Sequence, residues 1–525
     1  VDHSALYDFN NGFTYDLGDY LHPGTNQIEF RLTNNGGPAG LIFRTSLHDR
    51  RLLFAYCCLG VILLGLVAVL LTGTPVDKGF TLIITGAFLI RLLYFLITAY
   101  DNRSHDVGGH MHYIEYLVNH CTIPPVHEGW QTYHPPLYYM VAALVYKLLN
   151  LVGISQSVQL WRWIQFLSLV FFIGFLMVII PIIKNALGKL PHSPDHNNPN
   201  TGSESSHLTP GDPRLGLGYL AFAMIAFWPS GIIHSLRIGN DGLFYFFYAL
   251  SLVYLIKWQD DNTPRNAYWS FILITLAFIT KANAMVLYLV FGIIYGIKFY
   301  QDTKKQQYLA RTAVLFLIFI AGFGITFGRM VEQRLNGSQE HFVVANASKL
   351  EGVTVGNKPL NYLSFSFREF LKEPYVHPFE DRGGRQYFWT YLFKTGLVGE
   401  FSYTPKLNAH LTVLMSVTLL LMLLYMLGSP LVFYRYLQGQ LVLILNTVCL
   451  IIAAIGLRVS IPASCSNDFR YILPVLIPFG IFFACSIWFY RSQKWDWMEQ
   501  TGYGLSLMFI VASIAFFLSL AISTV

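Results

Sequence analysis

Apolar residues run along this chain in blocks of about 20, with polar residues gathered between the blocks. Stretches such as 52–71, 166–183, 284–297 and 411–427 carry no charge at all. About 20 apolar residues in a helix cross the roughly 30 Å of bilayer hydrocarbon. The pattern predicts about twelve spans, near 52–72, 79–99, 159–183, 215–236, 241–258, 266–281, 283–300, 309–329, 409–428, 439–457, 470–490 and 502–523. A further apolar stretch, 135–149, opens with Pro135-Pro136 and is too short to cross, so it is expected to be re-entrant or juxtamembrane. The fold class expected is an all-α polytopic membrane protein.

Residues 1–48 follow another rhythm. Phe13-Thr-Tyr-Asp-Leu17 and Asn26-Gln-Ile-Glu-Phe-Arg-Leu32 alternate with period two, around a His22-Pro-Gly turn and before Asn34-Asn-Gly-Gly-Pro38. They read as the C-terminal strands of a β-sandwich whose front half precedes Val1. Four segments are thus expected: the sandwich remnant 1–48, a membrane domain 49–330, a large external loop 331–408, and C-terminal membrane helices 409–525. Within the second lie an external loop, 100–135, and a linker, 185–214, whose Ser-, Pro- and Asn-rich part is expected to be disordered and cytoplasmic.

Composition agrees with a membrane protein: 54% hydrophobic and 12% charged, against about 25% charged in soluble domains. A net charge of +6 over 525 residues is too small to suggest nucleic-acid binding, and membrane lipids are the expected surroundings. The basic residues instead set orientation. If the 1–48 segment is outside, the connections holding Lys184, Lys189 and Arg214, then Lys257 and Arg265, then Lys298 and Arg311, then Arg491 and Lys494 all fall inside, as short basic loops should. Cys57, Cys58, Cys449 and Cys485 lie in apolar runs. Cys121 and Cys465 fall in polar loops on one predicted side, which makes a disulfide between them a candidate.

The same orientation brings four polar elements and one lysine to the external face. They are the Asp101–His134 loop, Arg237-Ile-Gly-Asn240-Asp241, the stretch from Phe388 through Lys394 to Glu400, Asp468-Phe-Arg470-Tyr471, and Lys281. Polar groups at a membrane border are costly unless paired or wet, so such a gathering is a functional-site hypothesis. A carboxylate there can take a proton from a hydroxyl, and Arg or Lys can hold a phosphate. Carboxylates with His or Asn can instead hold Mg²⁺ or Mn²⁺. Simpler readings compete. His105, His112, His120 and His127 read as solvated, Asn240-Asp241 as a helix cap, Lys281 as a snorkelling side chain, and Arg470 as an interfacial anchor.

At Asp106-Val-Gly-Gly-His110, Tyr133-His-Pro-Pro-Leu-Tyr-Tyr139, Arg237-Ile-Gly-Asn-Asp241 and Phe469-Arg-Tyr-Ile-Leu-Pro474 the chain resembles the GT-C superfamily of polyprenyl-phosphate-sugar-dependent glycosyltransferases. The protein O-mannosyltransferase and aminoarabinose-transferase group is the nearest in pattern, and the resemblance covers roughly 50–490. Tyr20 to Leu32 separately resembles jelly-roll modules found beside carbohydrate-active enzymes.

The resemblance implies an inverting transfer of a hexose or pentose from a lipid-phosphate donor to a glycan, lipid or protein acceptor. Asp106, as the general base that deprotonates the acceptor hydroxyl, and Asp241, the second-loop carboxylate, would be the catalytic residues and the candidate metal partners. His110, Glu128, Tyr133, His134, Arg237, Asn240, Lys281, Arg470 and Tyr471 would bind substrate, with His134 and Arg470 near the donor phosphate. The setting implied is a bacterial inner membrane with the site facing outward. Val107 departs from the group's pattern, where a second acid often follows the first. A glycolipid transporter and a sugar-binding scaffold are the competing classes; a transporter should carry its polar residues at mid-span and show paired halves.

Overall fold

The computed structural model describes residues 77–524 except 156, 191–207, 209–211, 303–304, 338–340, 342, 366 and 429–436. The expected strands of 1–48, the span 52–72 and most of the polar linker therefore lie outside the described residues.

Helix dominates the remainder, and among the described residues there is no β-strand, only an isolated bridge between Thr354 and Ala463. Eight helical stretches are long and apolar enough to cross a membrane: Lys78–Ile97, Val158–Gly188, Ala282–Gln301, Lys305–Leu335, Lys406–Leu427, Leu441–Ser460, Ser464–Ser492 and Asp496–Ser523. The chain is an integral, polytopic, helical membrane protein.

The helices that position the polar face are α1 (Lys78–Ile97), α2 (Val107–His120), α3 (Leu137–Leu151), α4 (Ser157–Gly188), α5 (Pro213–Ala226), α6 (Pro229–His234), α7 (Asp241–Asp261), α8 (Pro264–Phe278), α9 (Met285–Gln301), α10 (Lys305–Leu335), α11 (Phe388–Val398), α12 (Lys406–Leu427), α13 (Leu441–Ser460), α14 (Leu476–Ser492) and α15 (Asp496–Thr524). Local chemistry sets their ends. Asp212 caps α5 by accepting from the Arg214 amide, with Pro213 in the first turn. Asn262 and Cys121 close α7 and α2 in the left-handed conformation.

Contacts at both ends fix how α1 and α4 run. Arg162 at the start of α4 donates to the Phe95 and Thr98 carbonyls at the end of α1, 2.6 and 2.5 Å away. At the other end of the pair, Lys184 lies 5.1 Å over the Phe80 ring. The two helices are antiparallel, so α2 and α3 between them leave and return at one end of the bundle. A 15-residue helix such as α3 is only about 22 Å long, short of the hydrocarbon thickness. The opposite end collects basic side chains: Lys189 pairs with Asp260 and reaches the Gly439 carbonyl, Arg214 binds Asp212 and the Gly188 and Leu190 carbonyls, and Lys298 binds the Gln259 carbonyl.

The stretch expected as one span over 215–236 is instead broken between α5 and α6. Pro229 lacks the N–H that would continue the ladder. Carbonyls freed inside an apolar bundle need partners, and other helices supply them. Arg91 from α1, fully buried, donates to the Ala226 carbonyl at 2.7 Å, and Ser513 donates to that of Phe227 at 2.6 Å. The Trp228 indole N–H in turn binds the Gly396 carbonyl of α11. The break ties α1, α11 and α15 to the turn that carries Arg237.

Candidate functional site at one end of the bundle

Two arginines that the sequence reading passed over hold the loops of this end. Arg162 secures the segment leaving α1, as described above. Arg329 of α10 donates to the carbonyls of Pro124, Thr132 and His134 at 2.7, 2.8 and 2.8 Å, fixing the turn ahead of Pro135. The only signal for either was a charge inside a membrane-length apolar run.

Between these loops Asp106 is 22% exposed. Its Oδ2 accepts from Arg470 Nη2 at 3.2 Å and its Oδ1 from the Trp130 indole at 3.2 Å. Burial pushes the carboxyl up, but Arg470 and Arg237 outweigh it and hold Asp106 well below the usual carboxylate range. Arg470 is shared: its Nε lies 2.9 Å from Asp468 Oδ2, and its Nη2 also reaches the Tyr471 hydroxyl. Asp468 in turn accepts from the Arg470 amide, an N-cap that explains why an acid stands two residues before this arginine.

A second pair lies alongside. Lys281 and Asp241 form a buried ion pair, and the ammonium also sits 5.0 Å over the Tyr471 ring. Lys281 therefore does not snorkel. Asn240 does not cap α7 with its side chain, and donates instead to the Thr280 carbonyl across the bundle. Both residues pin the α6–α7 turn to the α8–α9 turn.

Histidines line the other wall. His110 Nδ1 lies 2.7 Å from the Tyr139 hydroxyl, its ring stacks on His134 at 6.0 Å, and its Nε2 faces Gly239, where a Cβ would stand only 3.2 Å away. Burial lowers His110 to about 4 and holds His134 well below the ordinary imidazole value, so both rings are neutral at neutral pH. Tyr133 packs on His134 at 4.3 Å, and burial raises its hydroxyl.

Arg237 has no such anchor. Its side chain is buried, at 6% exposure, yet the guanidinium makes no hydrogen bond or ion pair with any described residue. His105, Asp106 and His110 all feel its charge.

The chain matches no protein-family model and no curated protein.

Ten of the eleven expected site residues meet here: Asp106, His110, Tyr133, His134, Arg237, Asn240, Asp241, Lys281, Arg470 and Tyr471. Glu128 does not. It is exposed on the turn after Pro125, with only its backbone bonded. His120 and His127 are exposed, whereas His105 is drawn inward, stacked on Phe401 at 4.9 Å with its Nε2 3.9 Å from Glu400. Glu400 is buried and accepts from the Tyr391 hydroxyl at 2.5 Å. It closes one of the four polar elements of the sequence, where nothing local says which way its side chain turns. Cys121 and Cys465 are free thiols rather than a disulfide, and Cys121 is exposed beside the Lys147 ammonium.

The carboxylates of Asp106 and Asp241 are each taken up by a basic partner, and no group of three or more His, Cys, Asp or Glu among the described residues is placed to hold a metal.

Proposed function

We propose that the chain is a membrane glycosyltransferase of GT-C-like, twelve-span architecture, moving a sugar from a polyprenyl-phosphate donor to a glycan, lipid or protein acceptor. The site would face the extracytoplasmic side of a bacterial inner membrane, as the basic residues gathered at the opposite end favour. The observation that carries the reading is the gathering of Arg237, Arg470 and Lys281 with Asp106, Asp241, Asp468 and Glu400 at one bundle end, where Arg237 alone of the three bases makes no direct ion pair with a described residue. A lipid-linked phosphate would give that guanidinium a direct partner with the planar, two-oxygen geometry it favours.

In this reading Arg237 and Arg470 hold the donor phosphate. The acceptor oxygen attacks the anomeric carbon from the opposite face, and the bond to phosphate breaks with its electron pair going to the phosphate oxygen. The hydroxyl proton passes to a site carboxylate. His110 and His134 are neutral and so can donate to sugar hydroxyls or accept from them. The polar groups sit at the bundle end rather than at mid-span, as suits transfer better than transport.

Membranes containing the full chain should move label from radiolabelled polyprenyl-phosphate hexose or pentose into an acceptor fraction. Arg237→Gln should lower that transfer about 10- to 100-fold, the worth of one charge-assisted contact. Label that crosses the bilayer still attached to its lipid, with no transfer product, would favour a transporter instead.

A further inference from the structure

Asp106 is poorly placed to receive a proton. Both of its oxygens already accept hydrogen bonds, one from Arg470 and one from Trp130. Its ion pair also orients the guanidinium assigned above to the donor phosphate, and that pairing keeps the carboxylate a weak base. Glu400 differs on each count. Among the described residues only the Tyr391 hydroxyl bonds its Oε1 and none hydrogen-bonds its Oε2, which faces His105 Nε2 at 3.9 Å. Tyr391 fixes the carboxyl from its own helix, and the left-handed Gly399 (φ 70°), where a Cβ would collide with Phe401 at 3.0 Å, sets the turn that aims Glu400 inward.

We propose that Glu400 is the catalytic base of the transfer, and that Asp106 is a positioning residue that orients Arg470 for the donor phosphate. The assignment rests on the glycosyl-transfer reading and replaces its unspecified carboxylate. As the acceptor oxygen bonds to the anomeric carbon, its proton moves to Glu400 Oε2. The carboxyl becomes neutral, the phosphate leaves with the bonding pair, and Glu400 later returns the proton to water past the partly exposed His105.

The groups around Glu400 suit that cycle. Tyr391 comes from α11, His105 and Asp106 from the loop after α1, Arg237 from the α6–α7 turn, and Cys465, Asp468 and Arg470 from the segment before α14. Burial raises the Glu400 carboxyl above the usual range, against the lowering influence of Arg470 and Tyr391. A raised base is ionised only above its own pKa, so transfer should climb with pH through that value and level off above it.

The test is kcat and donor KM against pH for the full chain in proteoliposomes, with labelled polyprenyl-phosphate sugar and folding checked by gel filtration. Glu400→Gln should lower kcat about 10²- to 10⁴-fold, leave donor KM within threefold, and erase the acid limb. Glu400→Asp, which keeps a carboxylate, should retain the limb at reduced rate. Asp106→Asn should raise donor KM about tenfold or more and keep the limb, because it loosens Arg470 without removing the base. Loss of the acid limb in Asp106→Asn, or a Glu400→Gln variant within fivefold of wild type, overturns the assignment while leaving glycosyl transfer intact. Wild-type protein that transfers no sugar overturns both readings.

Discussion

Replacing Arg329 with Ala removes four hydrogen bonds, one to the Tyr113 hydroxyl and three that hold the 124–134 segment through the Pro124, Thr132 and His134 carbonyls. Arg329 is half-buried, so water replaces part of each bond once the guanidinium is gone. At a net value of about 1 kcal/mol per bond, the 124–134 segment loses about 3 kcal/mol of its hold on α10. Since 1.4 kcal/mol is a factor of ten, local opening of the segment should become about 100-fold more frequent. Hydrogen–deuterium exchange on the detergent-solubilised protein reads this directly through the amides of Glu128, Gly129 and His134, which are bonded within the segment. The core of α4 should exchange as in wild type, because Arg329 touches none of it. Arg329→Lys keeps the charge but spreads its three donors over a smaller head, and should fall between the two. Unchanged exchange in Arg329→Ala would refute the view that these three bonds fix the turn, and with it the proposed reason His134 stays beside His110.

Breaking the Lys281–Asp241 pair from one side leaves a buried charge unmatched. Lys281→Met should therefore destabilise the detergent-solubilised protein by about 3–5 kcal/mol, whereas removing both charges in Lys281→Met/Asp241→Leu should be milder; a double variant as unstable as the single one would count against the pairing argument. Cysteines placed at the exposed Asn119 and Ser348 should label with a membrane-impermeant reagent from the side opposite to one placed at the exposed Lys257, in a Cys121→Ser background because Cys121 is itself exposed. Labelling of Asn119→Cys and Ser348→Cys from different sides would dismantle the assembled face.

Hydrophobic periodicity determined the class of this protein, because a run of about 20 uncharged residues has few stable settings other than a bilayer. It also placed most span boundaries and, through the spacing of Lys and Arg, grouped the polar loops that meet at one end. Motif order then brought ten of eleven candidate residues to one place, since short turns between long helices leave their side chains little choice of end. Partnerships were another matter. The sequence could not say that Lys281 and Asp241 would neutralise each other, that Asn240 would reach Thr280 rather than cap its own helix, or that Arg237 would stand among the acids with no direct ion pair to a described residue. Each of these depends on the lateral order of helices far apart in the chain, and lateral order is set by packing. The break at Pro229 was visible as a proline, but its tolerance depends on Arg91 and Ser513 arriving from two other helices to satisfy the freed carbonyls. Glu400 shows the same limit most plainly. As a residue it is one acid among many in a long loop, and only the turn at Gly399, the Tyr391 hydroxyl and the buried position beside His105 distinguish it from Glu128, which the fold leaves in solvent.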